Sequence, residues 1–346
     1  MLRRTSLLSR LALAYLPTMA ARAPQACMMS TGSISIPSIT LHDGTEHPVI
    51  GYGTYKVGVI PASASSAVAS GSTDTDAVSP AECVANALGM GYRFLDCAEF
   101  YANEKAVGEG IAQSGVPRSE LYLASKVWTT TIHAGPEAVQ AQLEKTLADL
   151  GTDYLDLYCI HWPVPGKHVE AYKQLEKAQA AGQIRSLGVS NYAVEDYQEL
   201  MASGVKSKPV INQIEINPFL YRKETIDFFA GEGVKMQSYR TLRDGKAFED
   251  PTILGIAQKH SRTAAQVLGR WCVQHGFIAI PKSVKTERMA ENMRVFDFAL
   301  DDEDMAALDS MTTPETIQTF GELYRKCVVR DTPLPIEMAK EKITMG

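Results

Sequence analysis

Short apolar runs alternate with amphipathic stretches along most of the chain. The runs are rich in β-branched and aromatic residues, and each is followed by a segment long enough for a helix, which is typical of strand–helix units. The runs cover residues 49–55, 93–98, 121–128, 154–162, 184–191, 210–216, 234–240 and 277–283. In the stretch GPEAVQAQLEKTLADLG, Pro136 and Gly151 predict where a helix begins and ends. An apolar pattern that turns at Asp43-Gly44 predicts a β-hairpin before the first run.

Eight strand–helix units in about 290 residues predict one α/β domain, a (β/α)8 TIM barrel with an N-terminal β-hairpin. A doubly wound sheet is the alternative, and it would carry GxGxxG after its first strand. The corresponding turn here reads GYGTYK, residues 51–56, and lacks the third glycine. The pattern therefore favours the barrel, which we expect to span residues 34–325, with 326–346 as a C-terminal tail of open role.

Two segments do not follow the strand–helix pattern. Residues 59–80 are rich in Ser, Ala, Gly and Thr and predict a flexible insertion after the first strand, either a mobile lid or a spacer without function. Residues 1–33 contain four arginines and no acid, which indicates an organelle-targeting peptide. A mitochondrial destination is favoured; a plastid or secretory signal, a disordered extension, or a cytoplasmic form started at Met28 or Met29 are the alternatives.

Composition narrows the classes of partner. The 346 residues are 45% hydrophobic and 21% charged, as in globular proteins, and the net charge of -6 gives no reason to expect a nucleic-acid surface. No segment has the apolar length of a membrane helix. The six cysteines are scattered without a CxxC pair, which argues against a zinc ribbon or a disulfide framework. We expect a small-molecule partner and a monomer or weak dimer.

Four titratable residues lie where predicted strands end. Asp96 ends the second strand, with Tyr101 just beyond it, and Lys126 and His161 end the third and fourth. In a barrel these ends share one rim. Each residue alone has a structural explanation, but together they suit proton delivery to a carbonyl: a lysine cation lowers the pKa of a tyrosine, an acid holds the lysine, and a histidine orients the oxygen. No GxSxG or metal-spaced histidines occur.

Several motifs in order resemble those of the aldo-keto reductases, over roughly residues 36–320. They are GYRFLDCAEFYANEKAVGEGI (91–111), IHWP (160–163), GVSNY (188–192), INQIEINPFL (211–220) and IPKSVKTERMAEN (280–292). The resemblance implies an NADPH-dependent reductase of aldehydes or ketones, of the alcohol dehydrogenase or carbonyl reductase type. It also implies that Tyr101 is the general acid, that Lys126 and Asp96 tune it, and that His161 orients the substrate; no metal is implied.

The resemblance also implies which residues contact the cofactor. Ser190, Asn191 and Gln213 match positions that bond the carboxamide, and Tyr239 matches the aromatic residue that stacks on the nicotinamide ring. The positions that match the 2′-phosphate and adenine contacts are Lys282, Ser283, Arg288, Glu291 and Asn292. Cations at a 2′-phosphate site favour NADPH over NADH.

The chain departs from the family pattern near the predicted site. Arg240-Thr241-Leu242 replaces a common Ser-Pro-Leu, which leaves the pyrophosphate contacts open, with Arg240 as an alternative phosphate contact. Short loops at this rim predict an open mouth and broad specificity. The residues expected to line the substrate pocket are Tyr55, Phe100, Trp128 and Trp162.

Two other functions stay open from sequence. One is a cofactor-binding sensor or regulatory subunit on the same barrel, and the other is a barrel enzyme with phosphate chemistry. The second would have no need for Tyr101 and Lys126 together. The physiological carbonyl compound and the direction of the reaction in the cell are not encoded in any motif.

Overall fold

The predicted hairpin is present. The computed structural model describes residues 36–58, 78–340 and 343–344. Strands Ser38–Thr40 (β1) and Glu46–Pro48 (β2) pair antiparallel. Gly44 in the turn has a φ of 87°, in the region that glycine enters without steric cost.

A parallel sheet follows the hairpin, and each predicted apolar run contains one of its strands. Within the described residues the sheet has eight strands, arranged in chain order. They are Tyr52–Gly53 (β3), Phe94–Asp96 (β4), Tyr122–Val127 (β5), Leu155–Ile160 (β6), Ile184–Ser190 (β7), Ile211–Glu215 (β8), Lys235–Tyr239 (β9) and Ile278–Ala279 (β10). A parallel bridge between Ile50 and Ala279 closes the sheet, so the barrel prediction is confirmed.

Helices connect the strands and surround the barrel. They are Pro80–Gly89 (α1), Glu104–Ser114 (α2), Thr129–Ala134 (α3), Pro136–Leu150 (α4), His168–Ala180 (α5), Val194–Ala202 (α6), Lys223–Gly231 (α7), Pro251–His260 (α8), Ala264–Gln274 (α9), Thr286–Met293 (α10), Asp302–Asp309 (α11) and Pro314–Val328 (α12). As predicted, α4 begins at Pro136 and ends before Gly151, which takes a left-handed conformation. The central strands β5 and β6 are buried along their whole length, because both of their faces are covered.

The hairpin covers the amino-terminal end of the barrel. The His47 ring lies 4.6 Å from Phe94 and 4.1 Å from Tyr122, measured between ring centroids. Asp43 in the hairpin turn accepts a 2.6 Å hydrogen bond from Ser186, near the start of β7. The candidate site therefore lies at the opposite, carboxyl-terminal end of the strands.

The predicted extension, residues 1–33, lies outside the described residues, as does 59–77 of the predicted insertion. Ser79 and Pro80, at the end of that insertion, already belong to a helix start: Ser79 Oγ accepts from the Glu82 amide at 3.1 Å. The predicted tail begins inside α12 and continues as residues 329–340, the C-terminal segment, which ends with a short helical turn at Ile336–Met338. The domain boundaries otherwise stay predictions.

Candidate active site

A buried ion pair joins β4 and β5. Asp96 and Lys126 are both 1% exposed. Lys126 Nζ donates to Asp96 Oδ2 and to the Cys97 carbonyl oxygen, both at 2.8 Å. Gln213 Nε2 donates to the other carboxylate oxygen at 2.7 Å. Each buried charge is thus compensated by the other and by further hydrogen bonds.

This pairing keeps Lys126 protonated. Burial alone would lower the pKa of Lys126, but the adjacent Asp96 carboxylate outweighs burial and the pKa is raised. A permanent cation therefore lies inside the carboxyl-terminal mouth of the barrel.

Tyr101 lies beside that cation. It ends a helical turn, Glu99–Tyr101, that follows β4, and its hydroxyl is 3.2 Å from Lys126 Nζ. Burial raises the pKa of Tyr101 above its ordinary 10.0, and the Lys126 ammonium opposes part of that rise. The phenol is therefore protonated at neutral pH, next to a group that stabilises the phenolate left after proton transfer.

His161 directly follows β6 and completes the predicted group of four. Its ring centroid lies 6.0 Å from that of Tyr101, and Asn191 Nδ2 donates to its carbonyl oxygen at 3.0 Å. Burial first, and then the charges of Lys126 and Arg330, hold the pKa of His161 well below 6.5, so the imidazole is neutral. Its Nδ1 is buried and has no hydrogen-bond partner within the described residues. A buried polar atom that has no partner within the described residues, on a ring whose centroid is 6.0 Å from that of Tyr101, suits a polar ligand.

The predicted cofactor contacts adjoin one another: Ser190 ends β7 and Asn191 follows it, Gln213 lies in the middle of β8, and Tyr239 ends β9. Tyr239 Oη donates to Asn191 Oδ1 at 2.7 Å, and Asn191 Nδ2 donates to Ser190 Oγ at 3.1 Å. Ser190 Oγ in turn donates to the Gln213 carbonyl oxygen at 2.8 Å. The Gln213 side-chain nitrogen donates to Asp96 and to Gln237, at 2.7 and 2.5 Å, so Gln213 can offer its side-chain oxygen as an acceptor. With the Ser190 hydroxyl and the Asn191 amide beside the half-buried Tyr239 ring, this set fits a nicotinamide carboxamide.

The predicted phosphate contacts lie around the start of α10, just after β10. Lys282 and Arg288 are exposed there, and Arg288 forms no ion pair within the described ranges. Ser283 is buried, and its Oγ accepts from the Lys285 amide at 3.0 Å. Cations near a helix amino terminus suit a phosphate. The two predicted adenine contacts lie along the same helix: Glu291 and Asn292.

Arg240 is occupied elsewhere. Its guanidinium pairs with Glu215 at 3.0 Å and with Asp244 at 3.1 Å. These two ion pairs argue against the alternative that Arg240 contacts a phosphate.

Three of the predicted pocket residues form one continuous surface, the aromatic wall (Tyr55, Phe100 and Trp128). Phe100 stacks on Trp128 with ring centroids 4.0 Å apart, and Tyr55 stacks on Phe100 at 6.3 Å. The wall adjoins the predicted acid and the predicted orienting residue, since Tyr55 is 5.1 Å from Tyr101 and Trp128 is 4.9 Å from His161. An apolar surface beside polar groups is typical of a small-molecule pocket.

Trp162, the fourth predicted pocket residue, packs against α12. Its ring lies 5.9 Å from that of Tyr324, in a cluster that also contains Phe320 and Val328. Trp162 therefore anchors the C-terminal helix beside the site.

The C-terminal segment contributes residues that the sequence did not predict. Trp128 Nε1 donates to Asp331 Oδ2 at 3.0 Å, and Thr129 Oγ1 donates to the Arg330 carbonyl oxygen at 2.5 Å. The Arg330 guanidinium carbon lies 5.0 Å from the Phe100 ring centroid. The C-terminal tail thus covers one side of the aromatic wall. No strand-end pattern marks these residues, because they follow the last helix.

Comparison with known proteins identifies the family. The Aldo/keto reductase family matches residues 50–313. The glyoxal reductase of Bacillus subtilis is 39% identical over 280 residues, which cover 81% of this chain and 94% of that protein. An aldo-keto reductase of Mycolicibacterium smegmatis is 40% identical and covers 80% and 94%. The chain belongs to the aldo-keto reductase family of oxidoreductases.

Solved structures of similar proteins support the same family and fold. An aldo-keto reductase of Bombyx mori in complex with NADP superposes with a TM-score of 0.71 at 31% identity, covering 81% of this chain and 94% of that one. A mutant of Gox0644 in complex with NADPH gives a TM-score of 0.71 at 34% identity, covering 82% and 96%.

The described part of the chain has neither a metal-binding cluster nor a helix that could span a membrane. Residues 36–58, 78–340 and 343–344 contain no group of three or more His, Cys, Asp or Glu placed to hold a metal ion. In the same ranges no helix has the length and apolarity needed to cross a bilayer.

Proposed function

We propose that this protein is an NADPH-dependent oxidoreductase that reduces aldehydes or ketones to alcohols, with Tyr101 as the general acid. The observation that carries the proposal is the buried group in which Lys126 Nζ lies 3.2 Å from the Tyr101 hydroxyl and 2.8 Å from Asp96. Such a group can deliver a proton to a carbonyl oxygen and stabilise the anion left behind.

The proton moves between groups of defined charge. Tyr101 Oη donates its proton to the carbonyl oxygen as negative charge develops there, and Lys126 stabilises the resulting phenolate. Asp96 holds Lys126 in position. The neutral His161 ring orients the same carbonyl oxygen by a hydrogen bond, and its lowered pKa keeps it from competing as a proton donor.

The cofactor assignment rests on matched chemistry. NADPH, when bound, supplies the hydride that reduces the carbonyl carbon. Ser190, Asn191 and Gln213 would hold its carboxamide, and the Tyr239 ring would stack on the nicotinamide. Lys282 and Arg288 would bind the 2′-phosphate, which favours NADPH over NADH because NADH lacks that group. The NADP- and NADPH-bound relatives support this choice.

The substrate class follows from the aromatic wall and from one relative. The wall offers apolar contacts beside the proton donor, and the Bacillus relative is named for glyoxal. We therefore propose small aldehydes and ketones, including 1,2-dicarbonyl compounds, as substrates. We also propose, from their arginine-rich composition, that residues 1–33 direct the protein to mitochondria, which a fusion of these residues to a fluorescent protein would test.

The test is consumption of NADPH, followed at 340 nm with the full chain and a panel that includes glyoxal, benzaldehyde and simple ketones. NADPH oxidation that depends on the aldehyde, with NADH much slower, is the expected result. Tight NADPH binding without oxidation by any carbonyl would refute the reductase and favour the sensor alternative. An equal rate with NADH would refute the 2′-phosphate assignment.

A further inference from the structure

The side chain of Arg330 faces the aromatic wall. Its guanidinium carbon lies 5.0 Å from the Phe100 ring centroid and 5.7 Å from that of Trp128. The side chain is only 12% exposed. Its positive charge also acts on His161: after burial and Lys126, Arg330 is a further cause of the lowered pKa of that imidazole. Arg330 therefore places a positive charge at the edge of the pocket.

This cation is poorly compensated. Within the described residues its ion pair is with Asp331, at 3.5 Å from Nε, and Asp331 also accepts the Trp128 indole hydrogen bond. The two terminal guanidinium nitrogens make no hydrogen bond in the described ranges. Lys126, the cation beside Tyr101, is by contrast paired with Asp96 at 2.8 Å. A nearly buried guanidinium with free terminal nitrogens matches a carboxylate, which it binds through two parallel hydrogen bonds.

We propose that Arg330 determines substrate specificity by binding a carboxylate carried by the carbonyl substrate, so that the enzyme prefers oxo acids and formyl acids to neutral carbonyl compounds. This inference rests on the proposed function and names the substrate class of the same site. The rings that Arg330 covers, Phe100 and Trp128, lie 6.4 Å and 4.9 Å from the His161 ring. The carboxylate is therefore attached within a few bonds of the carbonyl group that meets Tyr101 and His161.

The side chain of Arg330 can be changed without removing the contacts that hold the C-terminal segment. Thr129 binds the backbone oxygen of Arg330, and Trp128 binds the side chain of Asp331. Arg330→Met keeps an unbranched side chain over the two rings and removes the charge together with its ion pair to Asp331. Arg330→Lys keeps the charge and loses the paired geometry.

The test compares 3-formylbenzoate with its methyl ester, which has the same aldehyde and no charge. In Arg330→Met we expect kcat/KM for the acid to fall by roughly 10- to 100-fold, the value of a charge-assisted hydrogen bond, and that for the ester to change less than about twofold. For Arg330→Lys we expect a kcat/KM for the acid between those of the wild type and Arg330→Met. An unchanged ratio of acid to ester, or an equal loss for both, would overturn the proposal.

Lys340→Met is the matched control. Lys340 is a cation of the same C-terminal segment, but it pairs with Asp196 at 2.8 Å and Glu199 at 3.0 Å, away from the aromatic wall. This variant should keep the wild-type ratio of acid to ester; a ratio that falls as in Arg330→Met would mean that a loosened segment, rather than the Arg330 charge, is the cause.

A binding measurement separates this proposal from the proposed function. If the wild type oxidised no NADPH with either compound, the reductase proposal would fail, and calorimetric titration with 3-formylbenzoate would still decide the role of Arg330. Roughly tenfold weaker binding to Arg330→Met would support a carboxylate site. Equal binding to both proteins would overturn it.

Discussion

Removal of the Lys126 charge tests the buried group directly. Lys126→Met replaces the ammonium with an apolar group of similar length and deletes hydrogen bonds to Asp96, the Cys97 carbonyl oxygen and Tyr101. The Asp96 carboxylate, 1% exposed, then keeps the Gln213 hydrogen bond but has lost its counter-charge. A buried charge stripped of its partner destabilises a protein by about 3–5 kcal/mol, so we expect that loss in the free energy of unfolding.

A second substitution, Asp96→Asn, separates the cost of the unpaired buried charge from the cost of the lost hydrogen bonds. In the double variant Asp96→Asn with Lys126→Met no charge remains to be buried, and the residual cost is that of imperfect hydrogen bonding, about 1–2 kcal/mol. The double variant should therefore be more stable than Lys126→Met alone by roughly 2 kcal/mol. Activity should not recover, because neither variant has a cation beside Tyr101 to stabilise the phenolate.

The assay is urea unfolding followed by tryptophan fluorescence, with kcat/KM for NADPH-dependent reduction measured in parallel. Stability that recovers in the double variant without recovery of activity is the expected combination. If Lys126→Met lost less than about 1 kcal/mol, or the double variant were less stable than the single one, the charge-pair reasoning would be wrong.

Three further predictions concern the cofactor, the imidazole and the packing of the helices. Lys282→Ala with Arg288→Ala should weaken NADPH binding by at least tenfold and leave NADH binding nearly unchanged in calorimetry; equal weakening would refute a 2′-phosphate site. Because the pKa of His161 is well below 6.5, kcat/KM should stay flat from about pH 7.5 to 5.5, and a fall of tenfold per pH unit there would show a protonated imidazole. A Cβ on Gly110 would lie 2.4 Å from the Ala81 carbonyl oxygen, so Gly110→Ala should lower the free energy of unfolding by about 1–3 kcal/mol in urea titrations. A Cβ on Gly255 would meet no atom within 4 Å, so Gly255→Ala should leave that free energy unchanged.

The sequence predicted the barrel and its polar rim because both depend on local patterns. Each apolar run contains a strand, and parallel strands bring their carboxyl ends to one edge, so Asp96, Lys126 and His161 could be placed together from chain position alone. Tyr101 followed for the same reason, since only a helical turn separates it from β4.

The C-terminal contribution could not be predicted in this way. Asp331 reaches Trp128 across 203 positions of sequence and Arg330 reaches Phe100 across 230, and no periodic pattern records such contacts. The packing of Trp162 could not be predicted either. Its place just after β6 follows from the sequence, but its contact with Tyr324 depends on where α12 lies. The ion pair between Arg240 and Glu215 likewise joins separate elements, since Arg240 follows β9 and Glu215 ends β8.

The most direct test of the account is Tyr101→Phe. The substitution removes one hydroxyl, leaves the ring contact with Tyr55, and keeps Lys126 paired with Asp96. We predict that kcat for NADPH-dependent aldehyde reduction falls by about 100- to 10,000-fold, the range for loss of a general acid, while the calorimetric Kd for NADPH stays within about twofold of the wild type. Turnover near the wild-type rate would contradict the assignment of Tyr101 as the proton donor.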